Sequence, residues 1–328
     1  MASVAFDLYA YARGVLLPQL GLRNHPFVVK APGASGTASR TARIVVERGP
    51  VILLRIFPNR ARARRNGAAL ELLGRMDLPA PRLMLEDTNP ANRLIRPSGM
   101  PRWVTAETWI DGTPAVEAPE KETEKIALMV ASVLARYHAV TRGRWGRPGL
   151  LSDPRPYHSH VLGIARRMIR DLSVRGILGP AVAATAEERF TAWRRNLMKL
   201  GTFQLTHRDA NRRNFIVPAD KKATTIVPVD LQRLMFGAGS EDVADALHHF
   251  CRHSPSLARK FVNHYLEEAA PASRLTWTRT GEFFIALNAL KRLHKGTTPG
   301  APDRLTADDP RMASSREEAL ALPAPPLI

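Results

Sequence analysis

Two apolar runs and the polar residues around them constrain this chain more than any other feature. Residues 206–217 read Thr-His-Arg-Asp-Ala-Asn-Arg-Arg-Asn-Phe-Ile-Val, so His207, Asp209 and Asn214 form the pattern H-x-D-x4-N ahead of a strand-like stretch. The turn-forming residues Ala219-Asp220-Lys221-Lys222 follow, then a second apolar run, Ile226-Val227-Pro228-Val229, and Asp230. Short apolar runs on each side of a polar turn predict a hairpin. The alternative is a surface loop whose Asp and Asn make turn hydrogen bonds.

An Asp, an Asn five residues on, a hairpin and a second Asp suit phosphoryl transfer. That chemistry needs a carboxylate beside the acceptor hydroxyl. It also needs an amide oxygen and a second carboxylate to hold Mg2+ against nucleotide phosphates. At these residues the chain resembles the kinase-like phosphotransferases, above all the aminoglycoside/choline-kinase-like small-molecule kinases. The string Asp230-Leu231-Gln232-Arg233 is also similar to the lipopolysaccharide core sugar kinases. The resemblance implies a two-lobed α+β fold, with a small antiparallel-sheet lobe and a mainly helical lobe. It implies Asp209 as the residue that orients and deprotonates the acceptor, with Asn214 and Asp230 on Mg2+. His207 would brace the loop, and Asp242 would tether it. The other reading of Asp242 is electrostatic: Ser240 caps a helix whose first-turn acids serve its dipole.

The order of elements agrees with such a fold. Residues 4–21 suit a helix, and 27–30, 42–47, 51–57 and 103–110 suit strands, with a helix at about 60–76 between them. From about 120 the spacing turns helical: 124–140, 158–175, 182–200, 241–252, 255–269 and 279–294. The expected division is 1–107, 108–294 and a loosely packed Pro/Ala-rich tail, 295–328, with one helical turn near 315–322.

The nucleotide would meet small residues between the first two strands, Gly33, Ser35, Gly36 and Thr37, whose backbone N–H groups can approach phosphate. A plain hairpin loop is the competing reading there. The resemblance places the base edge against the backbone of Ala106–Ile110, which makes Glu107 and Trp109 cofactor-side candidates. Two positions depart from the pattern. The third strand would carry a lysine toward the phosphates and carries Arg55. Its helix partner would be Glu, and the aligned position is Asn66, with Glu71 the nearest acid. An absent ion pair implies either a different phosphate clamp or a catalytically impaired kinase-fold binding or regulatory protein.

Charge bears on the acceptor. The chain of 328 residues has a net charge of +18, spread along its length. Such a field attracts phosphorylated sugars, acidic lipid headgroups or nucleic acid; compositional bias is the competing explanation. Arg166 and Arg170 on a predicted helix, with Arg212 and Arg213 in the motif loop, are candidates for an anionic sugar or glycoconjugate. No nucleic-acid module accompanies the Arg60–Arg65 run, so a specific nucleic-acid partner is not expected. His248, His249, Cys251 and His253 are too few in suggestive spacing to hold a metal. One cysteine, no secretory leader pattern and no long apolar run fit a cytoplasmic protein, peripheral at most to an anionic membrane surface.

Overall fold

The computed structural model describes residues 8–30, 40–88, 103–149, 155–220, 225–298 and 310–325. The chain divides into two compact units, Met1–Ala118 with Arg213–Leu234, and Pro119–Arg212 with Met235–Ile328. The first unit therefore extends past residue 107 and takes back the motif hairpin.

The first unit is built on a five-stranded antiparallel sheet in the order β1-β2-β3-β5-β4. Its strands are β1 (Phe27–Lys30), β2 (Arg40–Val46), β3 (Val51–Phe57), β4 (Leu83–Asp87) and β5 (Trp103–Thr108). Side chains alternate between the faces of a strand, so each strand here serves two environments. One face is apolar. Ala42, Ile44, Ile52, Leu54, Ile56, Val104 and Ala106 pack beneath Tyr11, Val15, Leu16 and Leu17. These belong to a helical stretch made of α1 (Leu8–Tyr11), a π-helical turn at Ala12–Leu16, and α2 (Leu17–Gln19). Tyr11 donates to Asp87 across 2.9 Å, which satisfies both polar groups inside this core.

The opposite face carries α3 (Arg60–Arg75), capped by the Asn59 side chain, which accepts from the Arg62 N–H at 3.0 Å. Phe57, Ala63 and Trp103 form its apolar contact. Beside them runs a polar row. Arg55 pairs across the ladder with Thr105, and Leu53 with Glu107. Gly67 lies inside α3 because Glu86 of β4 occupies the space: a Cβ there would meet Glu86 Oε2 at 2.0 Å. A second sheet, in the order β10-β9-β6, joins β10 (Val227–Pro228), β9 (Phe215–Pro218) and β6 (Gly112–Pro114). The hairpin expected at the motif is the β9–β10 pair.

The second unit is mainly helical. It contains α4 (Thr123–Ala139), α5 (Tyr157–Val174), α6 (Pro180–Ala192), α7 (Arg194–Met198), α8 (Ser240–Cys251), α9 (Pro255–Glu268), α10 (Pro271–Gly296) and α11 (Pro310–Leu320). A small sheet in the order β11-β8-β7 joins β11 (Met235–Gly237), β8 (Phe203–Thr206) and β7 (Thr141–Arg142). Three prolines shift boundaries from their expected places. Pro180 opens α6 two residues before the expected 182, and Pro271 starts α10 eight residues before the expected 279. Both occupy the first turn, where a missing N–H costs nothing. Pro310 likewise begins α11.

The described part of the tail, 310–325, is packed, contrary to expectation. α11 has eleven residues rather than a single turn, and it lies along α10. Glu318 pairs with Arg292, Trp193 donates to the Pro323 carbonyl at 3.0 Å, and Ala319 and Leu322 are buried. The apolar residues of this stretch, Met312, Ala313, Ala319 and Leu320, are too sparse a periodic signal to reveal such a helix in the sequence. Among the described residues no helix is long and apolar enough to cross a membrane.

Candidate active site

The motif loop leaves β8 at Thr206 and is held from below by one carboxylate. Asp242, fully buried on α8, accepts the backbone N–H of His207 at 2.6 Å and that of Arg208 at 2.7 Å. Arg208 has φ 65°, a left-handed conformation that a non-glycine residue adopts only when its surroundings impose it. Asp242 is itself fixed by His138 of α4, whose Nε2 lies 3.2 Å from Oδ2 and whose Nδ1 lies 2.8 Å from the Tyr265 hydroxyl. His138 fills the space above Gly239, where a Cβ would approach Nδ1 to 2.7 Å. Ser240 does not cap α8; its hydroxyl lies 2.9 Å from that of Thr280. His207 is buried beneath the loop.

The Arg208 side chain reaches Glu241 at 3.0 Å, and Lys291 reaches the same oxygen at 2.6 Å. Burial works to raise the Glu241 carboxyl, but the two cations override it and hold it well below the usual carboxylate range. The loop thus has a charged brace as well as a backbone tether. Asp209 follows, partly exposed, with Asn211 Nδ2 donating to its Oδ1 at 2.8 Å. That bond fixes the rotamer of the carboxylate.

Asp209 has neighbours that the sequence did not assign to its site. Asp245 lies one helical turn beyond Asp242 and accepts from Asn288 Nδ2 at 3.1 Å. His249 Nε2 lies 3.7 Å from Asp245 Oδ1. Burial raises the Asp245 carboxyl; His249 and Asn288 oppose that, and Asp209 adds to it. Burial lowers His249, against the pull of Asp245 and Asp209, while Arg292 and Lys295 lower it further. Arg212 lies over the Phe250 ring at 5.9 Å. Among the described residues no group of three or more His, Cys, Asp or Glu could hold a metal ion. The i, i+4 spacing of Asp245 and His249 is the one local signal that could have found this helix face.

The other candidate residues belong to the first unit. Asn214 precedes β9 and Asp230 follows β10, and Val229 N–H donates to the Asn214 carbonyl at 2.8 Å. The hairpin therefore brings Asn214 and Asp230 to one end, although sixteen residues separate them in sequence. Asp230 is left-handed, at φ 62°, and its side chain is 34% exposed. Gln232 Nε2 donates to its Oδ1 at 3.1 Å, and the following 3-10 turn, Leu231–Arg233, packs on α3. An oxygen-only pair whose carboxylate stays partly open fits a hard divalent cation that keeps further positions for water and phosphate.

Arg55 points to that same end. Its Nε donates to Glu107, and its Nη1 lies 3.8 Å from Asp230 Oδ1. Burial weakens the charged form, but Glu107 and Asp230 outweigh it and keep the guanidinium protonated. The ion pair that Asn66 cannot make is therefore present, supplied from β5. Asn66 donates instead to Thr105 at 3.0 Å, and Glu71 is exposed. The Glu107 side chain is committed to Arg55, so what this residue could offer a base is its backbone. The Trp109 amide donates to the Val51 carbonyl at 3.0 Å, and its ring lies 4.6 Å below the Arg43 guanidinium. Gly33, Ser35, Gly36 and Thr37 lie outside the described residues. Arg166 is bound to Glu187 at 3.2 Å and reaches Thr191 of α6, while Arg170 and Arg213 are exposed.

Residues 31–283 match the family model of the phosphotransferase enzyme family. No curated protein sequence matches. Solved structures of similar fold include a thermostable mutant of aminoglycoside phosphotransferase APH(4)-Ia. It is 16% identical with a TM-score of 0.60, covering 94% of this chain and 97% of that one. A further variant of that mutant enzyme is a ternary complex with ADP and hygromycin B. A putative fructosamine-3-kinase from Thermobifida fusca is 17% identical with a TM-score of 0.61, covering 94% and 99%. An ethanolamine kinase from Plasmodium vivax is 13% identical with a TM-score of 0.60, covering 96% and 87%. At such identities the likeness establishes the two-lobed kinase-like fold.

Proposed function

The chain belongs to the phosphotransferase enzyme family, and from that membership we propose an ATP- and Mg2+-dependent kinase that phosphorylates a hydroxyl of a small molecule or sugar. The observation that carries this reading is the hairpin end, where Asn214 and Asp230 converge with the protonated Arg55 guanidinium 3.8 Å from Asp230. Asn214 and Asp230 would hold the metal, which when bound neutralises phosphate charge. Arg55 would bind a phosphate oxygen through its terminal nitrogens. Asp209 would accept a hydrogen bond from the acceptor hydroxyl, orient its oxygen toward the γ-phosphorus, and take its proton as the O–P bond forms and ADP leaves. Asp242 and His138 would keep that carboxylate in place by holding the loop's backbone.

The reading extends to the acceptor. Arg212 beside Phe250, with Lys295 near His249, supports an acceptor carrying phosphate or carboxylate over a polycation. The +18 net charge supports anionic partners, membrane surfaces included, for an enzyme working in the cytoplasm. The buried Arg55–Glu107 pair weighs against an impaired kinase, since a clamp position left to drift has no reason to keep two desolvated charges. The test is transfer of labelled γ-phosphate to a panel of phosphorylated sugars, neutral sugars, amino alcohols and aminoglycosides, with and without Mg2+. Absence of both turnover and nucleotide binding would reject the proposal.

A further inference from the structure

The phosphate clamp is wired differently from the pattern the sequence suggests. The strand position carries Arg55 and the aligned helix position carries Asn66. Asn66 is engaged by Thr105, which is itself the cross-strand partner of Arg55. The carboxylate comes from Glu107, two residues along β5 on the same face. It is 1% exposed and accepts from Arg55 Nε. A guanidinium is planar, so a contact at Nε sets the direction of its terminal nitrogens. Here Nη1 is turned to Asp230.

We propose that Glu107 is the positioning residue of this clamp, holding Arg55 by Nε so that its terminal nitrogens face a nucleotide phosphate bound beside Asp230. This rests on the phosphotransferase reading above. A helix-borne partner would move whenever its helix moved. Glu107 and Arg55 instead sit on neighbouring strands whose ladder runs unbroken from Ile52 to Phe57, so the backbone holds them together. The clamp is therefore held by the sheet itself and needs no carboxylate from α3. Arginine suits this arrangement and lysine does not. A single ammonium engaged by Glu107 has no second fixed edge to present, whereas a guanidinium has one.

The test uses Arg55→Met, Glu107→Gln and the double variant of the full chain. ATP and ADP affinities are measured by calorimetry with and without Mg2+, kcat and KM for ATP are separated, and thermal melts confirm folding. Glu107→Gln should weaken ATP binding about tenfold, the scale of one misdirected charge-assisted hydrogen bond. Because Glu107 acts through Arg55, the double variant should bind no more weakly than Arg55→Met alone. Glu107→Gln with wild-type affinity, or an additive loss in the double variant, overturns the inference. Should Glu107→Gln not fold, the comparison of Arg55→Met with the uncharged double variant decides the same point. Wild-type protein that binds no nucleotide overturns the phosphotransferase reading along with this one, whereas a defect confined to the additivity overturns this inference alone.

Discussion

Asp242 accepts the backbone N–H of Arg208 at 2.7 Å while Arg208 sits at φ 65°, so one buried carboxylate holds a strained residue immediately before Asp209. The strain and the tether are a single device. Asp242→Asn retains one acceptor but turns an NH2 group toward a backbone donor. It should cost about 3 kcal/mol, since hydrogen bonds to charged groups contribute about 1.5–3 kcal/mol each. It should also lower kcat more than it raises KM for ATP. Denaturant unfolding and steady-state kinetics check both; a stable variant with unchanged kcat would separate the tether from catalysis.

Asp209→Ala should abolish transfer while leaving the fold and ATP binding nearly intact. Loss of the orienting base should cost at least about a hundredfold. Turnover within tenfold of wild type would remove Asp209 from the chemistry.

Asn214→Ala and Asp230→Asn should weaken Mg2+-dependent nucleotide binding and leave metal-free binding less affected. Titrations of ATP with and without Mg2+ test the pair, and unchanged metal dependence in both would reject them as ligands. Asp230→Asn has a second effect, because it also removes one of the two carboxylates near Arg55.

Acidification should destabilise the protein below the range of ordinary histidines. His248 is pushed down to about 3 by burial first and then by Arg292, His249, Arg252 and His253. A folded value below the unfolded one means that the unfolded chain takes the proton first. The stability is fully present above about 6.5 and is lost as pH falls from there toward 3. Melting temperatures across that window should fall, and His248→Gln should flatten the slope. An identical slope in the variant would rule out His248 as the titrating group.

Acceptor preference should follow charge. Arg212→Ala should raise KM for an anionic acceptor, and salt should weaken the preference, because exposed charges are screened over about 8–10 Å at physiological ionic strength. Arg166→Ala should matter less, because that side chain is already engaged by Glu187 and Thr191. Efficient turnover of a polycationic aminoglycoside would reject this preference.

Much of this molecule is legible in its residues. Strand alternation and helical spacing gave the element order, and the spacing of His207, Asp209, Asn214 and Asp230 marked the hairpin that brings the last two together. These are local signals, written within one turn or one strand. Long-range pairing left no such mark. The side-chain role of Glu107 was not legible, because nothing in the string of letters says that β5 lies beside β3 in the register that sets it next to Arg55. His138 is 104 residues from Asp242 and reads as an ordinary helix residue until the two helices meet. Asp245 and His249 could be seen to share a face of α8, but not that the face lies near Asp209. The tail looked loose because its few apolar residues gain meaning only against Trp193 and α10. The sequence by itself determined the element types and the oxygen donors of the hairpin, since both depend on chemistry within a few residues. Tertiary structure alone decided which carboxylate holds Arg55 and what braces the loop, because burial and register are set by segments that meet only after folding.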